Sequence, residues 1–213
     1  GMASRTTDKR SAATRLALIE TAERLIAGHG LDGISLRQIA AEAGCANTNA
    51  VAYHFGSKEA LVEAVIRHRV PALEARRGEL LAGQDEAGLN AMCDALWRPF
   101  FEQVDAAGHH SYAAFLTGLF RSGALPLRAA MSADYPVTEA LLARIAAALP
   151  RASAGLLPQR LALVTPPVTG ALRLIAESGP GPDAAEHRFA DAVAMSAAAL
   201  AAPPQNHNGT DHP

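Results

Sequence analysis

Cysteine is nearly absent from this sequence of 213 residues: its 2 cysteines, Cys45 and Cys93, provide no disulfide framework and match no zinc-ligand spacing. Long apolar runs are missing as well. No stretch approaches the roughly 18 residues that a membrane helix needs, so no membrane span is expected. The start, Gly1-Met2-Ala3-Ser4-Arg5, has no apolar core of the kind a secretion signal carries, and Gly1 reads as an added residue. A reducing cytoplasm is the expected location. Strand formers are scarce: 48 Ala and 25 Leu stand against 16 Val plus Ile, and Ala and Leu favour helix where β-branched residues favour strand. The one Asn-Gly pair, Asn208-Gly209, lies in a polar tail rather than between apolar runs. Charge of one sign is lacking too, with 19 basic and 21 acidic residues and a net charge of −2. That balance speaks against a broad basic field. No HExxH, CxxC, GxSxG, phosphate-loop or dinucleotide-loop pattern is present. No catalytic residue, metal or cofactor is therefore expected. His109 and His110 do not alter this, because adjacent residues on a helix point about 100° apart and cannot chelate as an i, i+4 pair does.

At 49% hydrophobic and 19% charged residues the chain is of globular composition. Its length suits one compact domain or two small ones, at roughly 100–200 residues each. The reading is all-α. A first helix is expected over about Ser11–Gly28, with Leu18, Ala22, Leu25 and Ile26 on one face and Gly30 and Gly33 turning the chain. A short second helix follows over Leu36–Ala43. Ser35 and Gln38 form its capping box, and Gly44 takes the left-handed position after it. A third helix, Thr48–His54, starts from Asn47 as N-cap. Gly56 ends it, Ser57 caps the next, and a fourth helix runs from Lys58 towards Arg77. Beyond Gly78, helices are expected near Glu86–Ala106, Ser111–Ser122, Leu127–Ser132, Val137–Ala148, Pro158–Glu177 and Asp183–Ala201. Pro166-Pro167 should kink or split one of them. Residues 178–182 form a loop, and 203–213 a disordered tail.

Two short helices, a brief turn and a longer supporting helix span Ser35–Arg69. That is the layout of a helix-turn-helix, whose second short helix enters the DNA major groove. The residues sharpen it. The stretch Leu25-Ile26-Ala27-Gly28-His29-Gly30-Leu31-Asp32-Gly33-Ile34-Ser35-Leu36-Arg37-Gln38-Ile39-Ala40-Ala41-Glu42-Ala43-Gly44, with Tyr53-His54-Phe55-Gly56-Ser57-Lys58-Glu59-Ala60-Leu61, resembles the N-terminal domain of the TetR family of transcriptional regulators. The resemblance covers roughly residues 12–66. Between Gly44 and Tyr53 this chain is one residue longer than the usual family pattern. The extra residue falls among Gly44, Cys45 and Ala46, and should slightly change the angle between the two short helices.

The resemblance implies a three-helix DNA-binding domain at the N-terminus, followed by a larger helical domain that binds a small molecule and dimerises. The divisions are then 1–10, a flexible basic arm; 11–57, the reading domain; 58–202, the ligand and dimer domain; and 203–213, the tail. Thr48, Asn49 and Ala50 form the first turn of the recognition helix. Asn suits adenine and Thr or Ala a thymine methyl, while Ala52 permits close approach. Tyr53, His54 and Lys58 match family positions that usually meet the sugar-phosphate backbone. Ser35 and Arg37 suit a phosphate at the start of the second helix. Asn47 is placed with this set, with a capping role as its plainer reading. Ile39, Val51, Phe55 and Leu61 are read as packing. Arg5, Lys9, Arg10 and Arg15 are read two ways, as an arm on DNA or as an ordinary solvated tail.

Aromatic residues make up only 5% of the chain, yet many gather between Trp97 and Phe120. Trp97, Phe100, Phe101, His109, Tyr112, Phe115, Leu116 and Phe120 are the candidate pocket wall, with His110 and Arg121 as further polar anchors; the plainer reading is a packed core. The last two long helices, rich in small residues such as Ala171, Ala190, Ala194, Ala197 and Ala198, are candidates for a homodimer face. Two other function classes stay open: an all-α protein-interaction module, and an α-helical enzyme. The charge also divides unevenly. Residues 1–78 carry 11 basic and 8 acidic side chains, and 79–213 carry 8 and 13. The near-neutral total is an average of a mildly basic head and an acidic body.

Overall fold

The computed structural model describes residues 2–123, 131–177 and 181–205, with the backbone alone for Ser132. Ten α-helices make up the described residues, and no strand occurs among them. They are α1 (Met2–His29), α2 (Leu36–Glu42), α3 (Ala50–Phe55), α4 (Lys58–Leu81), α5 (Leu89–Glu102), α6 (Ser111–Arg121), α7 (Pro136–Ala148), α8 (Arg151–Ala154), α9 (Leu157–Glu177) and α10 (Pro182–Ala201). A 3-10 turn covers Ser132–Asp134. None of the helices is long and apolar enough to cross a membrane.

Three expectations change. Residues 2–10, expected as a flexible arm, are the opening turns of α1. They carry no buried side chain, so only backbone bonding continues the helix there, and an apolar-periodicity reading has nothing to detect. α4 reaches Leu81 rather than Arg77 and contains Pro71. α9 is continuous through Pro166-Pro167 instead of being split. The helix is held by tertiary packing on both sides of the pair. Val168, Thr169, Leu172 and Ile175 are buried after it and Leu157 before it. The expected helix over Leu127–Ser132 lies mostly outside the described residues, as does most of the tail.

One continuous apolar core joins the helices. At the N-terminal end, Leu18, Ala22 and Ile26 of α1 meet Ile39 of α2, Val51 of α3 and Leu61 and Val65 of α4. Further along, Trp97, Phe100, Tyr112, Phe115, Leu141, Ile145, Leu172 and Phe189 fill the body. Burying a side chain of this size stabilises by about 1.5–3 kcal/mol, so both ends have a core of their own within the joint one.

Polar groups tie the two ends. Arg69 of α4 donates from Nε and Nη2 to the Glu23 carboxylate of α1, both at 2.7 Å. Glu23 is 3% exposed. The Ser122 hydroxyl, at the end of α6, accepts from the Leu31 amide at 3.2 Å just beyond α1. Within the body, buried Arg77 donates to the Leu96 carbonyl and to Thr138 Oγ1 at 2.8 Å each. Arg98 joins α5 to α10 through Glu186 at 2.6 Å while also holding Asp94. The end of α10 is clasped: Arg160 donates to the carbonyls of Leu200 and Ala202, and Ser153 Oγ donates to Ala202 at 2.9 Å.

Candidate nucleic-acid interface

The candidate interface is built on α2, its turn and α3. Ser35 caps α2 reciprocally: the Gln38 amide donates to Ser35 Oγ at 3.1 Å and the Ser35 amide to Gln38 Oε1 at 2.8 Å. Such a box satisfies two donors that would otherwise be left over at the helix start. At the other end Gly44 has φ +77°. The Cys45 amide reaches the Ala40 carbonyl and the Gly44 amide that of Ala41, the paired bonds of a glycine-terminated helix. A residue with a β-carbon is strained at that φ, which is why the chain turns at a glycine.

The turn differs from expectation at α3. Its N-cap is Asn49, not Asn47, and the helix begins at Ala50. Asn47 Oδ1 instead accepts from the Asn49 amide at 2.9 Å. A side-chain oxygen bonded two residues ahead makes a local turn that competes with helix, and the longer segment after Gly44 leaves room for it. Thr48 is therefore in the turn and not on the helix.

These local bonds sort the candidate residues. Ser35, Arg37, Asn47, Asn49, Ala52 and Tyr53 are exposed, and Thr48, His54 and Lys58 are half-buried. Tyr53 has 83% of its surface open. Its ring meets the His54 ring edge-on, with centroids 5.0 Å apart. Ala50 is the exception: it is buried against the core. The first turn of α3 points that position inward, so Ala50 packs instead of facing outward. Val51 and Leu61 are buried and Phe55 half-buried, as packing residues.

Arg15 has a part that the sequence did not reveal. Its Nη1 donates to the His54 carbonyl at 2.9 Å, and its guanidinium lies over the Phe55 ring, 4.2 Å from the centroid. A cation at a helix C-terminus also meets the negative end of the helix dipole. α1 thus holds the end of α3. Lys58 Nζ donates to the Ile34 carbonyl and fixes the start of α4 to the loop before α2. Ser57 Oγ caps α4 by accepting from the Ala60 amide at 3.1 Å.

The aromatic set resolves differently. Trp97, Phe100, Tyr112 and Phe115 are buried; Phe100–Tyr112 and Tyr112–Phe115 stack with centroids 5.8 Å apart, and Trp97 lies tilted against Phe100 at 6.3 Å. Rings at that spacing pack against one another as core, and of the four Tyr112 also lines a pocket. The Trp97 indole nitrogen has no acceptor among the described residues. Phe101 stacks on Phe189 at 4.4 Å and faces His110 at 6.0 Å. Leu116 and Phe120 are half-buried, while His109 is exposed beside Asp105. A pocket of about 210 Å³ does adjoin the set, at Tyr112, between α4 and the α5–α6 connection.

Residues 18–65 match the family model of the bacterial regulatory proteins of the tetR family. A solved structure from Mesorhizobium loti MAFF303099, described as a TetR-family transcriptional regulator, aligns with a TM-score of 0.47 and 18% identity, covering 89% of this chain and 97% of that one. No curated protein matches the chain.

Proposed function

The chain belongs to the tetR family of bacterial regulatory proteins through its residues 18–65, and from that premise we infer that it is a ligand-responsive repressor that binds a near-palindromic operator as a homodimer in the cytoplasm. The observation that carries the reading is that Asn49 at the N-cap of α3, Ala52 and Tyr53 on it, and Ser35 and Arg37 at the start of α2 are all exposed. Asn49 and Ala52 are the base-reading positions. Ser35, Arg37, Asn47, Thr48, Tyr53 and His54 meet phosphate and sugar, which position the protein without specifying sequence. Lys58, committed to Ile34, acts mainly by holding the loop.

The homodimer draws support from α9 and α10. Leu163 and Leu174 are 73% and 66% exposed on α9, and Met195 is 66% exposed on α10. Ala194, Ala198 and Ala199 are exposed on the same helix as Met195. Small residues beside large apolar ones let two helices approach closely. A two-fold pair then sets two copies of α3 in successive major grooves, about 34 Å apart. A ligand acts by binding the two conformations of the dimer unequally.

Fluorescence anisotropy on promoter-region DNA flanking the gene tests this, with sedimentation for the oligomer. Log affinity should fall linearly with log salt, with two chains per duplex. Absence of binding at low salt on every flanking segment would refute the regulator reading.

A further inference from the structure

We propose that the pocket between α4 and the α5–α6 connection binds a small carboxylic acid with an apolar body, and that the acid competes with Glu23 for Arg69. The proposal rests on the reading of the chain as a ligand-responsive regulator, and supplies the ligand class and the site.

Two guanidinium groups and the Glu102 carboxylate, already bonded to Arg76, line this pocket of about 210 Å³, together with Ala72, Leu73, Pro99, Gln103 and Tyr112. Arg69 and Arg76 are seven residues apart, two turns along one face of α4. Each has donors to spare. Arg69 gives Nε and Nη2 to Glu23, which leaves Nη1. Arg76 gives Nε to Glu102 and Nη1 to Glu79, which leaves Nη2. Guanidinium groups favour carboxylates, whose two oxygens match their fork. Gln103 is already occupied, accepting from the Tyr112 amide and donating to Ser111 Oγ. It therefore fixes the wall and leaves the anion to the arginines. Ala72, Leu73 and Pro99 supply the apolar part of the wall, which favours an organic acid over a bare inorganic anion. The size is below the usual range for drug-sized ligands, roughly 300–1,000 Å³, and so selects a small molecule.

The link to the reading head follows from Arg69. A carboxylate on Nη1 draws the guanidinium into the pocket and away from Glu23. The Glu23 carboxylate is buried, so it cannot be left unpaired without α1 shifting against α4. α1 also holds the end of α3 through Arg15. The acid thus favours the conformation in which α1 has moved, and so opposes the DNA-bound one.

Sodium benzoate is the probe, with benzyl alcohol and sodium phosphate at matched ionic strength as comparisons, read by calorimetry on the full chain without DNA. Benzoate should bind, and benzyl alcohol and phosphate should bind about tenfold or more weakly. Arg76→Gln, at a half-exposed position, should fold normally by circular dichroism and lose benzoate affinity by a similar factor. Promoter DNA already bound should be released by benzoate from the parent chain and not from Arg76→Gln. Phosphate binding as tightly as benzoate, or benzoate binding unchanged in Arg76→Gln, would overturn the site. DNA binding that is intact but indifferent to benzoate would overturn the competition and leave the regulator reading standing. Benzoate binding by a chain that binds no DNA would uphold the pocket and refute that reading.

Discussion

Gly118 of α6 lies so close to Ile26 of α1 that a β-carbon on the glycine would stand 2.5 Å from the Ile26 carbonyl oxygen. No real side chain tolerates that separation. The crossing is where the body of the molecule touches the helix that supports the reading head, and a glycine is what permits it. Gly118→Ala should therefore cost about 1–3 kcal/mol through overpacking, measured by urea unfolding. Gly28→Ala, in α1 where an added β-carbon meets nothing within 4 Å, should be neutral or stabilising by up to about 1 kcal/mol.

Replacements on α3 should separate reading from folding. Asn49→Ala should weaken operator binding by about 1–3 kcal/mol with an unchanged melting temperature. Ala50→Leu should do the reverse in stability, because the position is buried, destabilising by about 1–3 kcal/mol. Paired anisotropy and thermal melts distinguish the two. An Asn49→Ala chain that binds DNA as well as the parent would remove Asn49 from the interface.

Arg69→Met strands the Glu23 carboxylate, whose side chain is 4% exposed. Breaking a buried pair from one side should cost about 3 kcal/mol. The double variant Glu23→Gln with Arg69→Met should recover most of that, since neither charge is then left buried alone. A double-mutant cycle by chemical unfolding gives the coupling.

The Arg98–Glu186 bridge predicts a pH dependence. Hydrogen bonding from the Arg98 guanidinium holds the Glu186 carboxyl below its ordinary range. A carboxyl with a lower folded value stabilises fully above its unfolded value, near about 4.3, and loses that contribution as the pH falls through the folded one. With its side chain 48% exposed, Glu186 should contribute under about 1 kcal/mol. The fall in melting temperature from pH 7 to pH 3 should be smaller in Glu186→Gln. An equal fall would show that the bridge carries no acid sensitivity.

Thiol reactivity should divide the cysteines. Cys93 is buried, and burial pushes its thiol up to about 11. Cys45 is half-buried in the turn after α2. A thiol reagent at pH 8 should label Cys45 in the folded chain, and Cys93 only after unfolding. Rapid labelling of Cys93 under native conditions would contradict its placement.

The sequence spoke clearly where structure is decided within a few residues. Ser35 with Gln38, Gly44 after α2 and Ser57 before α4 are caps whose partners lie at most five positions away, and each is found as read. The α3 start differs from the sequence expectation for a related reason. Asn47 has the residue type of a cap, but as a turn former it satisfies the Asn49 amide, and spacing alone does not choose between the two. Contacts across the fold were hidden. Arg15 on His54, Arg69 on Glu23 and Arg77 on Leu96 join residues far apart in the chain. The clustering of aromatics was legible from Trp97 to Phe120, yet whether rings pack together or surround a space depends on helix angles that no residue pattern states. The pocket itself owes its arginines to two turns of α4, where they had no motif to announce them.

The clasp of Arg160 and Ser153 on the carbonyls of Leu200 and Ala202 also marks where the chain can be cut or extended. A stop codon after Ala202 keeps every one of those acceptors. One placed before Leu200 removes them all, leaves Arg160 without its partners and uncovers the core at Val193 and Ala197. A purification tag joined beyond Pro204 therefore follows the last of these acceptors, at the opposite end of the sequence from α2 and α3.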